Sequence, residues 1–136
     1  MLNQRMLTIL ETLVNIIIPA DDDPGGWEGG VGDYLLHQFA GDLKHVLPIY
    51  EQGLLTLDVE AKTVTGKHLA ELDPKAQEAL MMKIEQGQVQ TVWSVDPVAF
   101  FAMLVEHCAE GFYSDPGNYG NRDRAAWKMI GFEVTV

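Results

Sequence analysis

The chain has one cysteine, Cys108, in 136 residues. A lone thiol closes no internal disulfide and builds no multi-cysteine metal site. Its place beside His107 in an apolar helical pattern marks it as a buried, inert thiol rather than a nucleophile. Positive charge is also scarce. Nine Lys and Arg stand against twenty Asp and Glu, for a net charge of −11. General nucleic-acid binding needs a basic footprint, so no nucleic-acid partner is expected, and attraction to anionic lipid by charge is excluded with it. The four histidines, His37, His45, His68 and His107, form no His-x-x-x-His pair. Nothing approaches the ~20 apolar residues of a transmembrane helix, so no direct membrane insertion is expected. No twin-arginine pair and no small-residue cleavage site follow the start. The chain as written therefore reads as cytoplasmic, with the periplasm beside a partner as the alternative. Internal repeats and low-complexity tracts are absent.

What remains is a helical pattern long enough for one domain, residues 1–136, with a real core. Residues 4–18 read as a first helix. Thr8, Glu11, Thr12 and Asn15 make one polar stripe, and Met6, Leu7, Ile9, Leu10, Leu13, Val14, Ile16 and Ile17 fill the rest of the circumference. So wide an apolar arc predicts a central helix, ended by Pro19. A loop over 20–30 precedes a short helix with Val31, Tyr34, Leu35 and Phe39 on one side. Asp42 is positioned to cap a third helix with the stripe Leu43, Leu47, Tyr50, Leu54, Leu57, Ala61 and Val64. Pro48 and Gly53 interrupt that stripe, predicting a kink or a two-piece helix. Asp73-Pro74 and Asp96-Pro97 each join a cap residue to proline at the first helical position. The first of these helices should run to about Gln86. The second carries Val98, Phe101, Leu104, Val105, Cys108 and Phe112 as its core face. Arg122 to Ile130 reads as a last short helix, and only Glu133 to Val136 shows any strand alternation. The fold class is all-α: five to six helices packed around the first helix and the Phe101 helix, with a turn-rich aromatic C-terminal segment.

The tests for chemistry fail one after another. Asp21, Asp22 and Asp23 suggest calcium, but in an EF-hand loop started at Asp21 the fifth position, which should supply an oxygen ligand, is Gly25, and the twelfth, which should be glutamate, is Gly32. Gly25, Gly26, Gly29, Gly30 and Gly32 lack both the P-loop spacing with its lysine and Gly-x-Gly-x-x-Gly. Three aspartates beside them would also repel phosphate. Glu106, His107 and Glu110 reverse the Glu-x-x-His order of two-metal bundles and have no second copy, so an ordinary charged helix surface is expected. Ser114 sits in no Gly-x-Ser-x-Gly elbow. No catalytic, metal-binding or cofactor-binding residue is assigned in the chain.

The segment 111–132 stands apart. Gly111, Gly117, Gly120 and Gly131 permit tight backbone paths, and Asp115, Asn118 and Asn121 favour turns. Phe112, Tyr113, Tyr119, Trp127 and Phe132 add flat apolar area with polar tips. Three runs within it resemble the signature of the gluconate 2-dehydrogenase subunit 3 family: Gly111-Phe112-Tyr113-Ser114-Asp115-Pro116, Tyr119-Gly120-Asn121-Arg122-Asp123, and Trp127-Lys128-Met129-Ile130-Gly131-Phe132. The resemblance extends upstream to Ile17-Ile18-Pro19-Ala20-Asp21-Asp22-Asp23-Pro24-Gly25, to Tyr50 with Gly53-Leu54, to Gly66 with Leu69 and Leu72, and to Phe100-Phe101. The sequence departs from the family in showing Tyr119-Gly120-Asn121 where Tyr-Gly-Gly-Asn is usual, with Gly117-Asn118 ahead of it, and in showing no twin-arginine leader.

The resemblance implies a small non-catalytic subunit. Such subunits pair with, stabilise and help mature a large FAD-dependent dehydrogenase of the glucose-methanol-choline type that oxidises a sugar or polyol. Often a multihaem cytochrome c subunit passes the electrons on. FAD is then expected in the partner and no cofactor in this chain. Interface cores favour Trp, Tyr, Phe and Met. Trp27, Tyr113, Tyr119, Asn121 and Trp127 are accordingly the expected partner-binding residues, with packing into the core as the competing role for Phe112 and Trp127. The alternative to a subunit is a stand-alone helical regulatory or ligand-binding domain of the same fold.

Overall fold

The computed structural model describes residues 1–19 and 25–113. Within them the chain is all-helical, with α1 at Gln4–Ile17, α2 at Gly32–Phe39, α3 at Leu47–Thr65, α4 at Pro74–Glu85 and α5 at Pro97–Tyr113. A π-helical turn at Trp27–Val31 leads into α2, and 3-10 turns at Lys44–Val46 and Leu69–Glu71 flank α3. No strand occurs among the described residues. The expected last helix at 122–130 and the alternation at 133–136 lie outside them.

α1 is central, as its wide apolar arc predicts. Met6, Ile9, Leu10, Leu13 and Val14 are buried, and the helix packs against α3, α4, α5 and both neighbouring short turns. Its start is set by Asn3, whose side chain accepts from Met6 N–H at 2.8 Å. That is an N-cap bond to one of the otherwise orphaned donors of a helix start. The two Asp-Pro signals also hold. Asp73 accepts from Ala76 N–H at 2.8 Å, and Asp96 accepts from Val98 N–H at 3.0 Å.

α3 departs from expectation at its start. Asp42 caps nothing there: residues 44–46 first form a 3-10 turn, and neither that turn nor α3 has a side-chain cap. Pro48 falls in the first turn of α3 rather than inside it. A proline there removes a donor that has no intrahelical partner anyway, so Leu47–Thr65 is one continuous helix instead of a kinked or divided one. The predicted stripe holds in its middle, where Tyr50, Leu54, Leu57 and Ala61 are fully buried, and ends before Val64, which is 36% exposed.

α5 is rotated relative to the expected phase. Its buried residues are Phe100, Leu104, His107, Cys108 and Phe112, while Phe101 is half-buried and Val98 and Val105 are exposed. The cause is the crossing with α3. Gly53 is buried there, and a Cβ built on it would come within 2.4 Å of the Phe100 ring. Removing one side chain from α3 thus opens the space that Phe100 fills. Phe112, one of the residues expected either to plug the core or to meet a partner, plugs the core at 2% exposure.

Candidate partner surface and the buried polar groups

Of the five expected partner-binding residues, only Trp27 has a described side chain. It opens the π-helical turn, and its backbone N–H donates to Asn15 Oδ1 at 3.1 Å. The turn is possible because Gly30 takes φ 103°, a left-handed conformation that costs glycine nothing and side-chain-bearing residues a great deal. The indole then lies over Gly32, where an added Cβ would meet the ring at 2.8 Å. Trp27 is therefore half-buried, seated on the core at the base of α2. Of the glycines tested as a phosphate cradle, Gly32 packs under Trp27 and Gly26 lies against Val14 and Ile18. Tyr113 is the last residue of α5. Tyr119, Asn121 and Trp127 lie outside the described residues, as do Asp21, Asp22, Asp23 and Ser114.

Among the described residues three charged or titratable polar side chains, Glu60, Asp58 and His107, are buried, and sequence patterning leaves the first two unremarked. Glu60, on α3, is 1% exposed. Its carboxylate accepts from Gln90 N–H at 2.8 Å, Thr91 N–H at 3.0 Å, the Thr91 hydroxyl and Trp93 Nε1–H at 3.2 Å. Burial opposes its ionisation, but these donors outweigh burial and hold its carboxyl below the usual range. One side chain thereby pins the α4–α5 connection onto α3. Asp58, two residues earlier and 4% exposed, does the same for the α3–α4 connection. It accepts from Leu69 N–H at 2.9 Å, pairs with His68 Nδ1 at 2.9 Å and meets Arg5 at 3.4 Å. Burial again opposes ionisation, and the Leu69, His68 and Arg5 hydrogen bonds again prevail.

The third group corrects an expectation. Glu106 and Glu110 do lie on the surface of α5, but His107 between them is turned inward. Its Nδ1 is 2.7 Å from the Tyr50 hydroxyl, and the two rings stack with centroids 5.8 Å apart. Burial pushes the His107 pKa down against the pull of Glu110 and Glu106, so the neutral imidazole is favoured. Tyr50 also packs against Phe39 and Phe100, and burial raises its own pKa. Cys108 is fully buried, and burial pushes its thiol up to about 12. The expectation of a buried cysteine holds, and the neutral thiol is the weaker nucleophile of its two forms. Among the described residues, no three His, Cys, Asp or Glu side chains are grouped to hold a metal ion. No helix among them is long and apolar enough to cross a membrane.

These buried polar side chains hold helices and connections together; each is engaged by partners inside the chain. The arrangement is that of a small helical scaffold. A family model described as gluconate 2-dehydrogenase subunit 3 matches residues 4–133, and the chain belongs to that family. No curated protein and no solved structure matches it.

Proposed function

We propose that this protein is a non-catalytic subunit that assembles with a large FAD-dependent dehydrogenase of the glucose-methanol-choline type, stabilises it and helps it mature. The partner binds FAD and oxidises a sugar or polyol, and a cytochrome c subunit can complete the assembly. The observation that carries this reading is the family match across 130 of 136 residues, 4–133. The chemistry of the buried groups favours it as well. His107 is committed to Tyr50, Cys108 is held as a thiol, and Asp58 and Glu60 are occupied by donors from the chain itself.

Co-expression tests the proposal. The large flavoprotein of the same organism would be produced with and without this chain, and its soluble yield, bound FAD and dehydrogenase activity measured. The expected result is a drop in yield and FAD content when the chain is omitted, with a stable complex when it is present. Equal yield, equal FAD and no complex would overturn the reading in favour of a stand-alone helical domain.

A further inference from the structure

The outward side of α5 is apolar where solvent would favour charge. Val98, Ala102, Val105 and Ala109 recur at spacings of 4, 3 and 4, which places them on one helix face. Val98 is 44% and Val105 36% exposed, Ala102 is exposed and Ala109 is half-buried. A helix apolar around most of its circumference is normally covered on all sides. Position 113 continues the same backbone register four residues beyond Ala109.

This face is continuous with a notch. Ala99 and Met103, on its flank, lead into a depression of about 270 Å³ lined also by Ile49, Val95, Asp96 and Phe100. The floor and walls are apolar, and Met103 is the kind of side chain that adapts to an incoming group. One carboxylate, Asp96, belongs to the rim.

Charge narrows what can sit there. From Ile84 to Asn121 the sequence contains no lysine or arginine, yet it contains Glu85, Asp96, Glu106, Glu110 and Asp115. Asp96 lies at one end of the face, and the exposed Glu106 and Glu110 lie towards the other. A second copy of the chain is a poor occupant. An isologous contact sets the same patch against itself, and here it would bring the carboxylates of Asp96, Glu106 and Glu110 together, in a chain of net charge −11. An apolar element flanked by arginine or lysine meets both requirements, because complementary charge steers association and fixes register.

We propose that the outward face of α5 and the adjoining notch dock an apolar, arginine- or lysine-bearing element of the large dehydrogenase subunit. The proposal rests on the subunit reading above and deepens it. The apolar anchor enters the notch between Ile49 and Met103, and the partner's cations meet Asp96, Glu106 and Glu110.

Binding between the purified chain and the purified large subunit, followed by interferometry, tests this. The double variant Ala102→Arg/Val105→Arg sets bulk and the wrong charge on the face. It should weaken binding about tenfold to a hundredfold while leaving the melting temperature near that of the wild type. Ile49→Asp is a second, independent probe. It puts a charge into the notch but lies in the first turn of α3, where an acidic side chain favours the helix, so folding survives even if the double variant fails to fold. Wild-type affinity should also fall as salt is raised. Variants that bind as tightly as the wild type overturn the docking face and leave the subunit reading standing. A wild-type chain that does not bind the large subunit overturns both. Self-association of the wild type that the variants abolish overturns the choice of occupant.

Discussion

α3 and α5 are similar in length, 19 and 17 residues, and cross at Gly53 and Phe100. Both depart from the rule of apolar inside and polar outside. α3 buries Asp58 and Glu60 and exposes Val59, while α5 buries His107 and exposes Val98 and Val105. The buried carboxylates of α3 are explained within the chain, since each is met by donors from a connection that it holds in place. The exposed valines of α5 have no such account among the described residues. A buried charge with its donors present is a device of folding. An apolar face left in water is a sign that another molecule completes the structure.

The crossing itself is the most sensitive point of this comparison. Gly53→Leu would drive a side chain into the Phe100 ring, with Leu104 and Tyr50 packed close by and fully buried. Overpacking at a helix crossing costs about 1–3 kcal/mol, and more where both backbones must separate. The loss of stability is read as a fall of the denaturant midpoint or as failure to accumulate folded protein. An unchanged midpoint would mean that the two helices are not held at this contact.

Glu60→Ala tests the α3 side directly. It would strip the acceptor from Gln90 N–H, Thr91 N–H, the Thr91 hydroxyl and Trp93 Nε1–H. Hydrogen bonds to a charged group contribute roughly 1.5–3 kcal/mol, and donors left without an acceptor add to the loss. A fall of roughly 3 kcal/mol is expected, along with faster amide hydrogen exchange at residues 90 and 91. Slow exchange retained in the variant would show that the connection is held by its packing instead.

Much of this was legible in the sequence and some was not, for reasons particular residues make plain. The starts of α4 and α5 follow from Asp73-Pro74 and Asp96-Pro97 because capping is local chemistry. The rotation of α5 does not follow. Phe100 and Phe101 are adjacent, and Val98, Ala99, Ala102 and Val105 make the outer side as apolar as the inner, so periodicity alone cannot choose between them. The choice is made by Gly53, 47 residues before Phe100 in the chain. Asp58 and Glu60 likewise carry no local sign of burial, since the donors to Glu60 stand 30 or more residues away. Tyr50 and His107 meet across a separation of 57. At the candidate surface, aromatic content pointed to Trp27, and the structure seats that ring half on Gly32. The apolar face of α5 is also visible in sequence, but its spacing places Val98 and Val105 on the inside.

The Tyr50–His107 pair predicts a pH dependence that separates the two helices' polar groups. Burial lowers the folded-state pKa of His107 below its ordinary 6.5. The unfolded chain then binds the proton more readily, so stability is full above about pH 6.5 and is lost progressively as pH falls below it. The groups facing the ring include the Tyr50 hydroxyl, Glu106, Glu110 and His45. Asp58 and Glu60, with folded-state pKa values below their ordinary 3.8 and 4.5, withdraw their contributions only in more acidic solution. Melting temperature measured against pH should therefore begin to slope below about pH 6.5. His107→Gln, which can still bond Tyr50 but does not titrate, should flatten that slope down to the carboxylate range. A slope unchanged in the variant would assign it to another histidine.

The smallest expected effect sharpens the comparison most, because it sets two adjacent residues of one helix against each other. Leu104 is fully buried and Val105 is 36% exposed. Leu104→Ala leaves a cavity in a core that Phe100, Cys108 and Tyr50 also fill, and should cost about 2–5 kcal/mol. Val105→Ala removes methyl groups from a surface that water already reaches, exchanges a β-branched residue for the best helix former, and should change stability by within about 0.5 kcal/mol. The rotation of α5 requires that asymmetry; equal losses at the two positions would restore the phase in which Val105 faces the core. If the asymmetry holds, the free chain gains little folding stability from keeping valine at this position. Its value is then to be sought in the bound state, where Val105→Ala should weaken association with the large subunit even though the chain alone is undisturbed.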